Sequence, residues 1–365
     1  MNFDYNEDQR ALADTVKRFI TRDYGFERRR ALLDSEAGWS REVWQALADL
    51  GVLALNIDED HGGLGYGPQE TGLVMNAFGA GLLLEPFLAG AVIAPALIRR
   101  AASADFQEEW LPSIATGETI VVLADTDARA APVTEIGGNL SGRKAVVAHG
   151  GCADLLLVSA RCADGATGLF AVTPGADGVA LRDYPTLDGQ RAADLALCDA
   201  PAMRLDAGGA AEAIDAALDI GLAAICAEAV GIMQATVAAT TEYLKTRQQF
   251  GQPIGRFQAL QHRMAEMLLH QEQARSMSYF AAMHCTAADA TARRRTLSAA
   301  KVTIGQACRF IAQNAVQLHG GMGMTDELIV SHWFKRLTAI EMSFGDTDFH
   351  LQRFAANLAR EARAA

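Results

Sequence analysis

The chain has 365 residues, half of them hydrophobic, and a formal net charge of −12. That length can bury a large core and exceeds one compact unit, so two or three domains are expected. The acidic balance excludes a general binder of nucleic-acid backbones, which needs basic patches, although a few placed arginines still suit an anionic small ligand.

The cysteines Cys152, Cys162, Cys198, Cys226, Cys285 and Cys308 are scattered without a CxxC pair. They read as small buried side chains in a reducing compartment, with neither a disulfide framework nor a metal site. The acidic segment Asn2 to Arg10 shows no basic-then-apolar leader pattern. No apolar stretch of about 18 residues reads as free of charges and breakers, so no membrane span and a cytoplasmic location are expected.

From about residue 6 to 112 the pattern is helical. Asn6 with Gln9 resembles a capping box, after which Leu12, Val16, Phe19 and Ile20 form one apolar stripe at helical spacing. Trp44, Leu47, Leu50 and Val52 continue it. The glycine-rich break Asp58 to Gly67 reads as a connecting loop, because it lacks the strand-then-GxGxxG-then-helix context of a dinucleotide site.

From about 113 to 205 the character changes. Ile120–Leu123, Lys144–Ala148, Leu155–Ser159 and Gly168–Val172 are short β-type runs, punctuated by Gly137-Gly138-Asn139, Gly150-Gly151, Gly165 and Asp188-Gly189. A small antiparallel barrel or sandwich is the expected result. After Asp206 the helical period returns and holds to the end, broken near Gly251-Gln252-Pro253 and Gly320 to Gly323.

Two segments of this last part carry the chemistry. In the first, Arg247 closes a long amphipathic helix just before a Phe-Gly-x-Pro turn. Its guanidinium offers a forked donor set suited to a pyrophosphate oxygen, or else simply caps the helix. In the second, Gly320-Gly321 can bring bare backbone close to a flat ligand while Gln317 bonds to its polar edge, or else forms a hinge between helices.

Together these segments resemble the acyl-CoA dehydrogenase family over nearly the whole chain. The pattern Arg-x-x-Phe-Gly-x-x-Ile-x-x-Phe-Gln matches Arg247 to Gln258, Gln-x-x-Gly-Gly-x-Gly matches Gln317 to Gly323, and Gly-Gly-Leu-Gly matches 62–65. The resemblance implies an α+β architecture: an N-terminal helical domain (1–112), a middle β-barrel (113–205) and a C-terminal four-helix bundle (206–365) that mediates dimerisation. It further implies FAD as cofactor, an acyl-CoA substrate and an electron-transfer flavoprotein as acceptor. By it, Arg247, Gln248, Gln249, Phe250, Phe257, Gln258, Gln317, Gly320, Gly321 and Thr347 are cofactor-binding residues. The arginine and the glycine turn would contact the ADP half of a flavin seated mainly in a neighbouring subunit.

The chain departs from the family where a base is needed. The reaction removes a proton next to a thioester while the neighbouring carbon gives hydride to the flavin. The family's Tyr-Glu-Gly-Thr turn appears here as Phe344-Gly345-Asp346-Thr347, with one extra residue before Gln352-Arg353. The alternative glutamate position corresponds to Gly221 or Leu222. Asp346, displaced by one residue, is the candidate base or else a cap on the final helix. Asp219 reads better as a solvated helix face, and Glu341 lies a few residues early. Gly345 still keeps the backbone N–H that, in the family, partly holds the thioester oxygen. In the barrel, the family's Thr-Glu-Pro-Gly-x-Gly-Ser-Asp stretch survives only as Asp125 to Pro132, and Val146-Val147-Ala148 replaces the Trp-Ile-Thr beside the flavin ring. The half-site offered to a neighbour is intact and the chain's own is altered. This asymmetry resembles the small subunits of heteromeric acyl-CoA dehydrogenases, which work beside a larger catalytic chain. A self-sufficient homo-oligomer using Asp346 and a non-catalytic scaffold are the other readings.

Overall fold

The computed structural model describes residues 5–364, so Asn2, Phe3 and Asp4 of the acidic opening segment lie outside the described residues. Six helices come first: α1 (Glu7–Arg22), α2 (Phe26–Leu33), α3 (Arg41–Asp49), α4 (Pro68–Gly81), α5 (Ala94–Ala101) and α6 (Ala104–Ala115). Eight strands follow among the described residues: β1 (Val121–Ala124), β2 (Thr134–Ile136), β3 (Asn139–Ala148), β4 (Leu155–Arg161), β5 (Thr167–Val172), β6 (Val179–Pro185), β7 (Arg191–Pro201) and β8 (Met203–Arg204). The chain then returns to helix in α7 (Ala211–Thr246), α8 (Gln258–His284), α9 (Ala290–His319), α10 (Ile329–Met342) and α11 (Thr347–Ala364). Two compact units are distinguished: Met1–Arg30 with Pro68–Leu83 and Leu222–Ala365, and Ala31–Gly67 with Leu84–Gly221.

In the first unit, α1 starts where its local chemistry dictates. Asn6 Oδ1 accepts from Gln9 N at 2.8 Å while Gln9 Oε1 accepts from Asn6 N at 3.0 Å. This reciprocal cap satisfies two orphan donors, and Val16 and Phe19 of the apolar stripe are buried. Helix α4 crosses α7 at near backbone contact: a Cβ on Gly231 would fall on Asn76 O, and one on Gly79 on Glu228 O. Beside that crossing, Glu228 and Arg336 form a buried two-pronged ion pair at 2.6 and 2.8 Å. Helix α9 is the centre of the C-terminal helices, packing against α8, α10 and α11.

Helix α7 corrects one expectation, that it is amphipathic, and bears out the other, that it is not a membrane span. Its 18-residue apolar stretch has mean hydropathy 1.8, long and apolar enough by composition to cross a membrane, and it is not amphipathic. Within the structure 89% of that stretch is buried, which makes it a core helix, apolar all round because neighbours cover every side.

The second unit holds the sheet, in the order β6-β7-β3-β2-β4-β5-β8 with β1 paired to β4. It is mixed, where antiparallel pairing alone was expected: β1 runs parallel to β4 (Leu155–Arg161), Val121 facing Leu155, and β2 (Thr134–Ile136) also touches β4 in parallel. The hairpin of β2 and β3 (Asn139–Ala148) is inserted between β1 and β4 and provides the long crossover that parallel strands require. Strands β6 (Val179–Pro185) and β7 (Arg191–Pro201) carry weak local signals, one largely exposed and the other alanine-rich. Pairing with β3 decides them. The 58–67 segment is a connecting loop locked on itself, since a Cβ on Gly63 would fall on Ile57 O. All six cysteines are free; four are buried, but Cys198 is exposed against expectation.

Candidate active site

Helix α7 ends at Thr246, and Arg247 N still donates to Tyr243 O at 2.8 Å. The chain then forms a hairpin, β9 (Gln248–Gln249) against β10 (Gln252–Pro253). At its tip Phe250 and Gly251 have φ of +53° and +78°, the paired left-handed conformation of a two-residue hairpin turn. Phenylalanine pays roughly 1–2 kcal/mol for that conformation, yet its ring is 88% exposed. Phe257 meets that ring edge-on, centroids 5.9 Å apart. Arg247, Gln248, Gln249 and Gln258 are exposed. Arg247 makes no ion pair among the described residues.

The second motif lies at the end of α9. Gly320 has φ +63° and ψ −143°, a backbone state that glycine alone adopts readily. No atom lies within 4 Å of where a Cβ on Gly320 or Gly321 would stand, and Gln317 is exposed beside them. Gly323 is instead packed inward, its missing Cβ 2.8 Å from Val316 O. Tyr243 and His319 join the two motifs: the rings stack at 4.4 Å, and Tyr243 Oη donates to His319 O at 3.3 Å. His319 Nδ1 donates to Ala315 O at 2.8 Å, which fixes its tautomer. Motif reading missed both residues; the available signal was Tyr243 one helical turn before Arg247. An exposed, unpaired guanidinium beside open glycine backbone fits a phosphate-bearing flat cofactor supplied from outside this chain.

The third segment is the turn between α10 and α11. Gly345 has φ +95°, and a Cβ there would stand 2.9 and 3.1 Å from Cε1 and Cγ of Phe349, and nearer still to Cδ1. The Phe349 ring thus covers the bare glycine. Asp346 is exposed, and its Oδ1 accepts from Phe349 N at 2.8 Å as the cap of α11. The carboxylate of Glu341 is buried and committed, accepting from Arg309 Nη2 and Thr347 Oγ1 at 2.9 Å each. Thr347 therefore serves this carboxylate in the chain as it stands. Asp219, read as a solvated face, is 5% exposed, because α7 is covered on every side.

In the sheet, the Asp125–Asp127 stretch is tied to a buried lysine. Lys144 Nζ reaches Asp127 Oδ1 at 2.7 Å, Asp125 O at 2.8 Å and Ser159 Oγ at 2.9 Å. Two residues on, Val146 has φ +54° and is 62% exposed, at a register shift between β3 and β7. A β-branched residue is strained there. The bulge re-aims position 146, which carries a small aliphatic side chain.

Residues 6–118 match the acyl-CoA dehydrogenase N-terminal domain, and residues 208–359 the acyl-CoA dehydrogenase C-terminal domain. The acyl-CoA dehydrogenase FadE27 of Mycobacterium tuberculosis is 29% identical over 98% of this chain and 99% of its own. Among solved structures, a variant of the Tcur3481-Tcur3483 steroid ACAD superposes with a TM-score of 0.89 at 27% identity, covering 98% of this chain and 99% of that one. The ChsE4-ChsE5 complex from Mycobacterium tuberculosis gives the same TM-score of 0.89 at 27% identity, covering 98% and 99%. With matching domains at both ends and relatives spanning its full length, the chain belongs to the acyl-CoA dehydrogenase family, FAD-dependent oxidoreductases acting on the CH–CH group of acyl-CoA.

Proposed function

We propose that this chain is the small subunit of a heteromeric acyl-CoA dehydrogenase. In this reading it lends its hairpin and glycine turn to a flavin seated mainly in a larger partner, and proton abstraction belongs to that partner. The observation that carries the reading is Gly345. At the position that the family resemblance assigns to the catalytic glutamate there is no side chain, and Phe349 fills the space one would need. The surface that serves a neighbour's cofactor is kept open at the same time: Arg247 is exposed and unpaired among the described residues, and Gly320 and Gly321 face free space. The neighbour solved as a ChsE4-ChsE5 complex supports a two-component assembly. The Tcur3481-Tcur3483 steroid ACAD makes the CoA thioester of a bulky steroid-derived acid the first substrate to try.

Bound FAD supplies the two-electron redox chemistry. This chain's own residues bind and orient. Arg247 neutralises phosphate charge, Gln317 bonds to a polar edge, and Phe250 and Phe257 supply flat apolar contact. Asp346 caps α11 and takes no part in proton abstraction. The three-domain division at 112 and 205, a cytoplasmic location and an electron-transfer flavoprotein as acceptor complete the reading.

Flavin content of the chain purified alone and with its partner tests it. One flavin for every two chains in the mixed assembly, with turnover that survives Asp346→Asn, is the expected result. A lone chain that oxidises acyl-CoA with a dye acceptor and loses that turnover on Asp346→Asn would replace this reading with a self-sufficient enzyme. No flavin under any pairing would leave a scaffold.

A further inference from the structure

The segment that follows the glycine turn is held by two buried side chains. Arg29 on α2 is 1% exposed, and its Nε donates to Leu82 O, just past the end of α4, at 2.9 Å. Its Nη1 lies 2.9 Å from His332 Nδ1 on α10. A guanidinium only donates, so Nδ1 accepts and the His332 proton sits on Nε2. That nitrogen lies 3.0 Å from Asp326 O, which as a carbonyl only accepts. The two contacts thus demand the same tautomer of one neutral ring. Phe26 closes over it edge-on at 5.1 Å, and Trp333 beside it donates to Ala80 O at 3.1 Å.

Side chains on a helix lean towards its N-terminus. From the first turn of α10, His332 therefore reaches back to the chain that enters the helix, where Asp326 follows Gly321 by five residues. Thr325 Oγ1 donates to Met322 O at 3.0 Å, which ties that entry to the turn itself, and Lys335 Nζ fixes the Asp326 carboxylate at 2.7 Å. A second proton on His332 would go to Nδ1 and set one donor and one positive charge against another. Arg29 stays fixed by Leu82 O, so the ring must shift, and Asp326 with it. The charged groups around the ring are Arg29 from α2, Asp326 from the turn and Lys335 from α10 itself, while Arg30 of α2 acts on Asp326. Burial, Arg29 and Lys335 hold the imidazole below its ordinary 6.5, opposed by the carbonyl and carboxylate of Asp326.

We infer that Arg29 and His332 are positioning residues that brace the Gly320–Asp326 segment, and that protonation of His332 loosens the brace and weakens retention of the flavin cofactor held there. The inference rests on the flavin reading above and adds control of that surface by acid pH. By linkage, bound cofactor in turn disfavours protonation of His332. The competing account is that the pair merely joins α2 to α10.

Equilibrium dialysis of FAD against the full chain in the assembly it forms, at about pH 8 and about pH 5.5, separates these accounts. The wild type is expected to lose up to about tenfold in affinity on acidification, the worth of one or two hydrogen bonds. His332→Gln offers an amide oxygen to Arg29 and an amide N–H to Asp326 O but does not titrate. It should hold FAD like the wild type at the higher pH and lose clearly less at the lower. His332→Leu removes both bonds and should bind FAD weakly at both pH values; if it does not fold, the comparison of wild type with His332→Gln decides. His319 also titrates at this surface but is common to all three proteins, so the differences belong to His332. The same pH response in wild type and His332→Gln overturns the inference. So does His332→Leu with lowered stability in urea and unchanged FAD affinity, the result expected of a mere joint between helices. No FAD retained by the wild type at either pH, under any pairing, overturns the flavin reading itself.

Discussion

The ring of Tyr243, one turn before the end of α7, stacks on His319 at the end of α9 with centroids 4.4 Å apart. This contact couples the arginine hairpin to the glycine turn, which are far apart in sequence. Added FAD should raise the melting temperature of the native assembly by mass action. Tyr243→Ala should reduce that rise, since a stacked pair is worth roughly 0.5–1.5 kcal/mol beyond its buried area. Tyr243→Phe keeps the stack and loses only the 3.3 Å hydrogen bond to His319 O, so its rise should stay near that of the wild type. Equal rises in all three proteins would show that the contact does not support the cofactor surface.

Arg247 is exposed and makes no ion pair among the described residues. Its guanidinium is available for phosphate oxygens. Arg247→Ala should weaken FAD retention by at least about tenfold, as expected on losing a charge-assisted hydrogen bond. Equilibrium dialysis of the assembled protein measures this directly, and unchanged affinity would make Arg247 a helix-end residue only.

Gly345 cannot accept a side chain without displacing Phe349. Gly345→Glu should therefore gain no acyl-CoA oxidation and should cost roughly 1–3 kcal/mol of stability, from left-handed strain and overpacking. Phe349→Ala added to it should recover part of that loss. Urea denaturation reads the stability, and a fully stable, active single variant would contradict the covered-glycine geometry.

Burial pushes the His350 imidazole down to about 4 from its ordinary 6.5, helped by Lys301 and Arg353 and opposed by Phe344 O and Asp346. The unfolded chain takes up its proton first. Stability from this group is thus fully present above pH 6.5 and is lost as pH falls towards about 4. The loss amounts to about 3 kcal/mol at most. His319 and His332 are also lowered by burial and act in the same direction. The difference between wild type and His350→Gln isolates His350: the variant should show a shallower fall in stability from neutral to acid pH.

The buried pair Arg336–Glu228 joins α10 to α7 beside the α4 crossing. Arg336→Ala should destabilise the protein by about 3–5 kcal/mol, because it leaves a carboxylate buried without its partner. Arg336→Met combined with Glu228→Gln should recover much of that loss, and chemical denaturation of the three proteins measures it.

The order of elements, the α1 cap and the sharp turns at Phe250-Gly251 and Gly320-Gly321 were legible in the sequence. Each depends on residues within a few positions of one another: Asn6 with Gln9, Arg247 with Phe250-Gly251, Gln317 with Gly320-Gly321. Short-range signals of capping, turn geometry and motif spacing act before any tertiary contact. The bare turn at Gly345 was legible for the same reason. What only the tertiary structure decided is whatever depends on partners distant in the chain. Asp219 and the apolar stretch of α7 are buried, which no local pattern announces. Strands β6 and β7 exist because β3 pairs with β7. Tyr243 meets His319, and Lys301 reaches Gly345 O across 44 positions. A lone lysine or histidine in a helical stretch carries no local pattern that says which carbonyl it will hold. That choice is made by the packing of α9 against α10 and α11, where a buried donor must find an acceptor or incur its desolvation cost.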